Sequence, residues 1–218
     1  MTASTSRREA LRDGAATLGC ALTDQQTDRL LAYVALLAKW SRVYNLTAVR
    51  DPDRIVVQHV LDSLSLVAPL SRETGTESSF NLLDVGSGAG LPGLVVAAAL
   101  DRATVTCVDA SAKKAGFVRQ AAAELGLQNL KVEHARVEDL RAAPFRVVTA
   151  RAFASLPDLV AATRRHLGGR GVWAAMKGRT PDNDISALPV DVEAFHVEPL
   201  RVPGLDAERC LVWMRPKR

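Results

Sequence analysis

The run Leu82-Leu83-Asp84-Val85-Gly86-Ser87-Gly88-Ala89-Gly90-Leu91-Pro92-Gly93 limits the possible folds of this chain more than any other stretch. A short apolar segment of strand character ends in a glycine-rich turn, and an alanine-rich segment of helical character, residues 94–100, follows directly. A strand that enters a helix through glycines leaves bare backbone at its carboxyl end. Glycine has no side chain to obstruct a ligand and adopts positive φ without strain. Such a turn points to an open, mainly parallel sheet with something small bound over its strand ends.

The flanking sequence alternates accordingly. Buried strands are expected at 82–85, 104–108, 131–134, 146–150 and 172–176, with helices at 94–100, 111–125 and 156–167. The rhythm then breaks: 193–198 and 210–214 read as two strands joined by a loop containing Pro199, Pro203 and Gly204, with no helix between them. A terminal antiparallel hairpin completes a sheet of about seven strands with helices on both faces. Residues 4–70 differ, since their apolar positions recur at helical spacing. Thr23 and Gln26 form a capping box ahead of the stripe Leu30, Leu31, Val34, Leu37, Ala38, and Asp51-Pro52 opens a second helix running through Ile55, His59 and Leu64. The polar stretch 71–79 reads as a connector. The chain therefore divides into a helical extension with connector, 1–75, and a ligand-binding domain, 76–218.

Composition narrows the function classes. With 48% hydrophobic and 24% charged residues in 218, the chain can bury a sizeable core. No apolar run reaches the length of a membrane span, and the amino terminus has no signal-peptide core, so a cytoplasmic protein without a membrane partner is expected. Cys20, Cys107 and Cys210 are far apart and read as buried small hydrophobes in a helix, the second strand and the last strand. His59, His134, His166 and His196 are isolated, and no metal is expected. The formal charge of +4 mildly favours an anionic partner.

Two cofactors fit the glycine turn. Gly88, Gly90 and Gly93 satisfy G-x-G-x-x-G, and Asp109 follows at the distance of a ribose-binding acid, as in a nicotinamide-dependent oxidoreductase. Other details favour S-adenosyl-L-methionine. Asp84, read as lying at the pocket mouth, suits a cationic ligand and would repel a pyrophosphate. The strand already ends at Val85, so the turn begins at Gly86. Val137-Glu138-Asp139 follows the third strand, where an adenine would lie. With these features the strand pattern is that of a class I, Rossmann-like methyltransferase.

The runs Trp40-Ser41-Arg42-Val43-Tyr44-Asn45-Leu46-Thr47, His59-Val60-Leu61-Asp62-Ser63, Asp84 to Gly93, Arg136-Val137-Glu138, Arg151-Ala152-Phe153-Ala154 and Met176-Lys177-Gly178 resemble the RsmG (GidB) family, bacterial methyltransferases that form N7-methylguanosine in 16S rRNA. The resemblance runs from about Asp24 to the carboxyl terminus and is weak after Gly178. It implies cofactor contacts at Gly86, Leu91, Val137, Glu138 and Arg151, and 16S rRNA or the small ribosomal subunit as partner. Ala150 departs from the serine more usual before the arginine. A monomer is expected.

The residues are compatible with that chemistry. Thr149-Ala150-Arg151-Ala152-Phe153 occupies the place where amino-group methyltransferases carry an Asn/Asp-Pro-Pro-aromatic run, and the cysteines lie away from this loop, which disfavours carbon-5 pyrimidine chemistry. Guanine N7 already presents a lone pair, so no general base is required and Arg151 is expected to position rather than to transfer protons. His59 reads equally as a structural hydrogen-bonding residue or as a contact to RNA or to the guanine. Phosphate contacts are sought among Arg7, Arg8, Arg12, Arg42, Arg50, Lys113, Lys114, Arg164, Arg165, Lys177 and Arg179, with the lysine pair and Lys177-Gly178-Arg179 foremost. The amino-terminal helices, with Trp40 and Tyr44 beside Arg42, are expected to cap the pocket or grip RNA, with core packing of Trp40 as the alternative. A non-catalytic RNA-binding module on the same fold is the second rival.

Overall fold

The computed structural model describes residues 3–76 and 78–217. All seven expected strands form: β1 (Phe80–Val85), β2 (Ala103–Asp109), β3 (Leu130–His134), β4 (Phe145–Arg151), β5 (Leu167–Lys177), β6 (Val192–Pro199) and β7 (Cys210–Pro216). They make one sheet of order β3-β2-β1-β4-β5-β7-β6. The first five are parallel, and β7 runs antiparallel to both β5 and β6. The order reverses between β1 and β4, so the loops leaving these strands diverge and open a crevice at their carboxyl ends.

Neighbouring residues of β1 point to opposite sides of the sheet, and each side builds its own core. Leu82 joins Val105, Val147 and the apolar faces of the amino-terminal helices, whereas Leu83 joins Val148, Trp173 and Leu156 on the other side. The helical extension consists of α1 (Ala3–Thr17), α2 (Asp24–Tyr44), α3 (Pro52–Ile55), a π-helical turn (Val56–Leu61), α4 (Asp62–Leu64) and α5 (Val67–Thr74). The Thr23–Gln26 capping box opens α2, and Asn45 closes it in the left-handed conformation that asparagine tolerates. Leu30, Val34 and Leu37 face the sheet-side core as the stripe required. Two bonds fix α2 to the glycine-turn side of the sheet: the buried Tyr33 hydroxyl donates to the Ala89 carbonyl at 2.9 Å, and Gln26 Nε2 donates to the Ala99 carbonyl at 3.0 Å. Four further helices complete the layers: α6 (Gly93–Ala99), α7 (Ala112–Glu124), α8 (Leu156–Thr163) and α9 (Asp182–Ser186).

Several expectations need correction. The helix beginning at Asp51 is not uniform, because the turn widens between Val56 and Leu61. The Gln58 carbonyl there accepts from the His59 ring at 2.9 Å and lies 3.5 Å from Arg151 Nη1. The first part of the supposed connector is the end of α5, polar because its side chains reach the sheet: Glu73 pairs with Arg146, Arg72 with Glu198, and Ser71 accepts from Arg102. The expected helix 156–167 is present but not uniform: α8 ends at Thr163, a 3-10 turn continues it over Arg164–His166, and β5 begins at Leu167. Cys20 lies in the loop after α1 rather than in a helix, and all three cysteines are buried.

Candidate active site

The turn after β1 is shaped by three glycines at positive φ: Gly86 at 67°, Gly88 at 59° and Gly90 at 88°. Gly86 and Ser87 donate to the Val108 carbonyl at 2.9 and 3.2 Å, which locks the turn to the end of β2. The glycines differ in what surrounds them. A Cβ on Gly93 would lie 2.6 Å from Cys107 Sγ and 2.7 Å from Asp84 Oδ2, so this glycine serves packing. A Cβ on Gly86 would meet nothing within 4 Å, and one on Gly88 only the Gly86 carbonyl at 3.9 Å. These two leave a cradle of bare backbone that a ligand can enter.

Asp109, at the end of β2, is buried, and its carboxylate braces this cradle. Oδ2 accepts from Gly88 N–H and Oδ1 from Ser111 N–H, each at 2.8 Å. Each oxygen retains a further lone pair for a ligand hydroxyl. Asp84 does not lie at the mouth. Its side chain is fully buried beneath the turn, where Oδ2 accepts from Gly93 N–H at 2.7 Å and Oδ1 has no partner among the described residues. Burial raises its pKa from 3.8 to about 7, an effect eased by the Gly93 bond and the Arg151 charge. The charge argument against a pyrophosphate therefore loses its exposed carboxylate.

Leu91 is buried in the turn. Val137 opens a 3-10 turn after β3, also buried, and its carbonyl accepts from His166 at 2.8 Å. The Glu138 side chain is half exposed beside Arg136 at 3.6 Å. Gly86, Gly88, Leu91, Asp84, Asp109, Val137 and Glu138 thus gather around the ends of β1 to β3.

Arg151 ends β4 and lines an adjoining cavity of about 690 Å³, together with His59, Asp62, Met176, Lys177 and Arg209. Asp62, 1% exposed, accepts from Arg151 at 3.1 Å on one oxygen and from Arg209 at 2.9 Å on the other. Two arginines, 89 and 147 positions further along the sequence, thus share one buried carboxylate. The sequence reading missed both Asp62 and Arg209. Asp62 belongs to the family-like run His59 to Ser63, in which spacing marks no acid, and Arg209 lies after Gly178, where the family resemblance is weak. Ala152, in the same wall, takes φ 61°, a left-handed conformation that costs a non-glycine residue about 1 to 3 kcal/mol. His59 is tied at both ring nitrogens, to the Gln58 carbonyl and to Thr47 Oγ1 at 2.7 Å, and burial with the Arg151 charge lowers its pKa.

The basic residues separate into two groups. Arg7, Arg8, Arg12 and Arg164 pair with exposed aspartates of the same chain, Arg165 donates to the Glu138 and Leu140 carbonyls, and Lys177 bonds Asp184 and the Phe153 carbonyl. Arg42, Arg50, Lys113, Lys114 and Arg179 have no ion pair or hydrogen bond among the described residues. Among those residues no acidic, histidine or cysteine group is placed to hold a metal ion, and no helix is long and apolar enough to cross a membrane.

A sheet of this order, with its seventh strand reversed, a glycine turn after β1 and an acid at the end of β2, defines a class I, Rossmann-like methyltransferase. Solved structures share the fold: a Burkholderia thailandensis 1,6-didemethyltoxoflavin-N1-methyltransferase with bound S-adenosylhomocysteine superposes with a TM-score of 0.58 at 15% identity, over 86% of this chain and 90% of that one. TrmN from Thermus thermophilus gives 0.56 at 19% identity, over 74% and 53%. The chain belongs to the rRNA small subunit methyltransferase G (GidB) family, whose profile matches residues 26–212. Ribosomal RNA small subunit methyltransferase G of Leptothrix cholodnii is 57% identical over 210 residues, 96% of either chain. The protein of the same name from Methylibium petroleiphilum is 53% identical over 209 residues, 96% of this chain and 94% of that one.

Proposed function

We propose that the chain, a cytoplasmic monomer, transfers a methyl group from S-adenosyl-L-methionine to N7 of a guanosine in the 16S rRNA of the small ribosomal subunit. The observation that carries the cofactor is the cradle itself: two positive-φ glycines facing open space beside a buried acid. Bound there, S-adenosyl-L-methionine supplies an electrophilic methyl group. Gly86 and Gly88 would admit it to the backbone, Asp109 would accept from its ribose hydroxyls, Val137 and Glu138 would border its base, and Leu91 would pack beside it at the turn. Asp84 acts from below, holding Gly93 N–H and with it the start of α6. The acceptor base enters the adjoining cavity, where Arg151, fixed by Asp62, sets its approach.

Family membership supports the choice of base, and the site chemistry agrees. Guanine N7 is unprotonated near neutral pH, so the reaction asks for alignment rather than proton removal. The buried titratable groups are otherwise engaged: the His59 ring faces a hydroxyl and a carbonyl, and Asp84 lies under the turn. Incubating the purified protein with methyl-labelled S-adenosyl-L-methionine and small subunits lacking the modification tests the proposal. Label is expected in guanosine N7 of 16S rRNA. Label in another base, or RNA binding without transfer, contradicts it, as does thermal stabilisation by NAD but not by S-adenosylhomocysteine.

A further inference from the structure

We infer that the last turn of α2 and the first turn of α7 form one RNA-docking patch: Tyr44 stacks on an unpaired base of the substrate rRNA, while Lys113 and Lys114 hold phosphates beside it. The inference rests on the rRNA methyltransferase reading and adds a docking surface to it.

Exposed apolar surface is concentrated here. Only Val43, Tyr44 and Val190 among the described residues are large hydrophobics that stay exposed, and two of them are consecutive at the end of α2 (Val43 71%, Tyr44 45%). Tyr44 is held in place from within. Its ring stacks on Trp40 with centroids 5.3 Å apart, Trp40 meets Phe117 at 5.7 Å, and Phe117 meets the fully buried Tyr33 at 6.4 Å. Tyr33 in turn bonds the Ala89 carbonyl of the glycine turn. A ring already ordered by such a ladder loses little freedom when a base stacks on it, and every base offers a π-face.

The charges fit the same partner. Phe117 brings α7 against α2, and Lys113 and Lys114 lie four and three residues before it, on the same helix face one turn towards the amino terminus. Unlike the arginines of α1, which are tied to Asp24, Asp28 and Asp53, the side chains of the two lysines have no acidic partner among the described residues. Unpaired cations around an exposed aromatic ring are the chemistry that grips single-stranded RNA.

The patch also connects to both parts of the site. Ser111, which precedes α7, donates to Asp109, and Thr47, three residues beyond Tyr44, bonds the His59 that lines the Arg151 cavity. An rRNA strand crossing it passes between the cofactor acid and the acceptor cavity.

The test compares wild type with Tyr44→Ala, Tyr44→Phe and the Lys113→Gln/Lys114→Gln double variant. Three quantities are measured for each: kcat/KM on small subunits lacking the modification, affinity for a 16S rRNA fragment against salt, and affinity for S-adenosylhomocysteine. Loss of the stack predicts that Tyr44→Ala lowers kcat/KM and RNA affinity about ten- to a hundredfold, that Tyr44→Phe recovers most of it, and that S-adenosylhomocysteine affinity stays within about twofold. The lysine variant is expected to flatten the slope of log RNA affinity against log salt by about one to two. Wild-type RNA affinity in Tyr44→Ala, equal losses in the alanine and phenylalanine variants, or an unchanged salt slope overturns the patch while leaving the methyltransferase reading intact. If wild type itself transfers no methyl group, that reading fails, and the RNA-affinity comparison still decides the patch.

Discussion

Asp109 shows how far a single residue can be read. Its spacing from the glycine turn identified an acid at the end of the second strand, and the structure places it there, but its bonds to Gly88 and Ser111 depend on turn geometry that no spacing encodes. A charged acceptor bonded to ribose hydroxyls contributes about 1.5 to 3 kcal/mol. Calorimetry is expected to show S-adenosylhomocysteine affinity falling roughly ten- to a hundredfold in Asp109→Ala, and unchanged affinity in a folded variant removes this residue from the site. Asp84 was legible as an acid and misread in place, because sequence gives no depth: in a parallel strand covered on both sides, the side chain next to the turn points into the core. Its folded pKa, about 7, lies above the ordinary 3.8, so between these values the folded chain keeps a proton that the unfolded chain has released. Stability from this group is complete below the lower value and is lost as pH rises through the upper one. Asp84→Asn keeps an acceptor for Gly93 without that loss. Its denaturant-measured stability is expected to gain on wild type from about pH 4 to about pH 7 and to level off above that, whereas a pH-independent difference contradicts the buried-acid account.

The elements were legible where pattern is local. Seven strands, the capping box and the closing hairpin follow from periodicity and turn chemistry, and each is present. The π-helical turn was not legible: its Gln58 carbonyl is approached by Arg151, a residue 93 positions away, and a contact at that separation leaves no period in the sequence. The Asp62 clamp joins α4, β4 and the loop before β7 for the same reason: long-range ion pairs leave no period in the sequence. Glycine roles within the turn separate on the same ground. Gly93→Ala forces a methyl group against Cys107 and Asp84 in a closed core and is expected to lower stability by about 1 to 3 kcal/mol or more. Gly86→Ala meets only the backbone penalty of its positive φ, about 1 to 2 kcal/mol, yet places the methyl group in the cradle. Denaturant midpoints and S-adenosylhomocysteine titrations of both variants are expected to show the larger affinity loss per unit of lost stability in Gly86→Ala. Equal ratios would mean that nothing binds at Gly86.

Over the whole molecule, composition shift suggested a division near residue 75, and the packing bears on what that division means. Leu11, Leu30, Ile55 and Leu64 share one continuous core with Leu82, Val105 and Val147 of the sheet, and Tyr33 and Gln26 bond the turn and helix beyond β1. The extension is thus built into the wall of the site, and calorimetry is expected to give one unfolding transition with equal calorimetric and van't Hoff enthalpies; two resolved transitions would show that the extension folds apart. The same arrangement places the glycine cradle after β1 and Arg151 at the end of β4 along one rim of the sheet. The central claim is that this rim methylates guanine N7 in small-subunit rRNA. Mass-spectrometric mapping of 16S rRNA from cells with and without the protein tests it most directly. One N7-methylguanosine is expected to be present with the protein, absent without it and restored by wild type but not by a folded Asp109→Ala, Gly86→Ala double variant. An identical set of methylated bases in both cell types, or loss of a methyl group from any other base, contradicts the account.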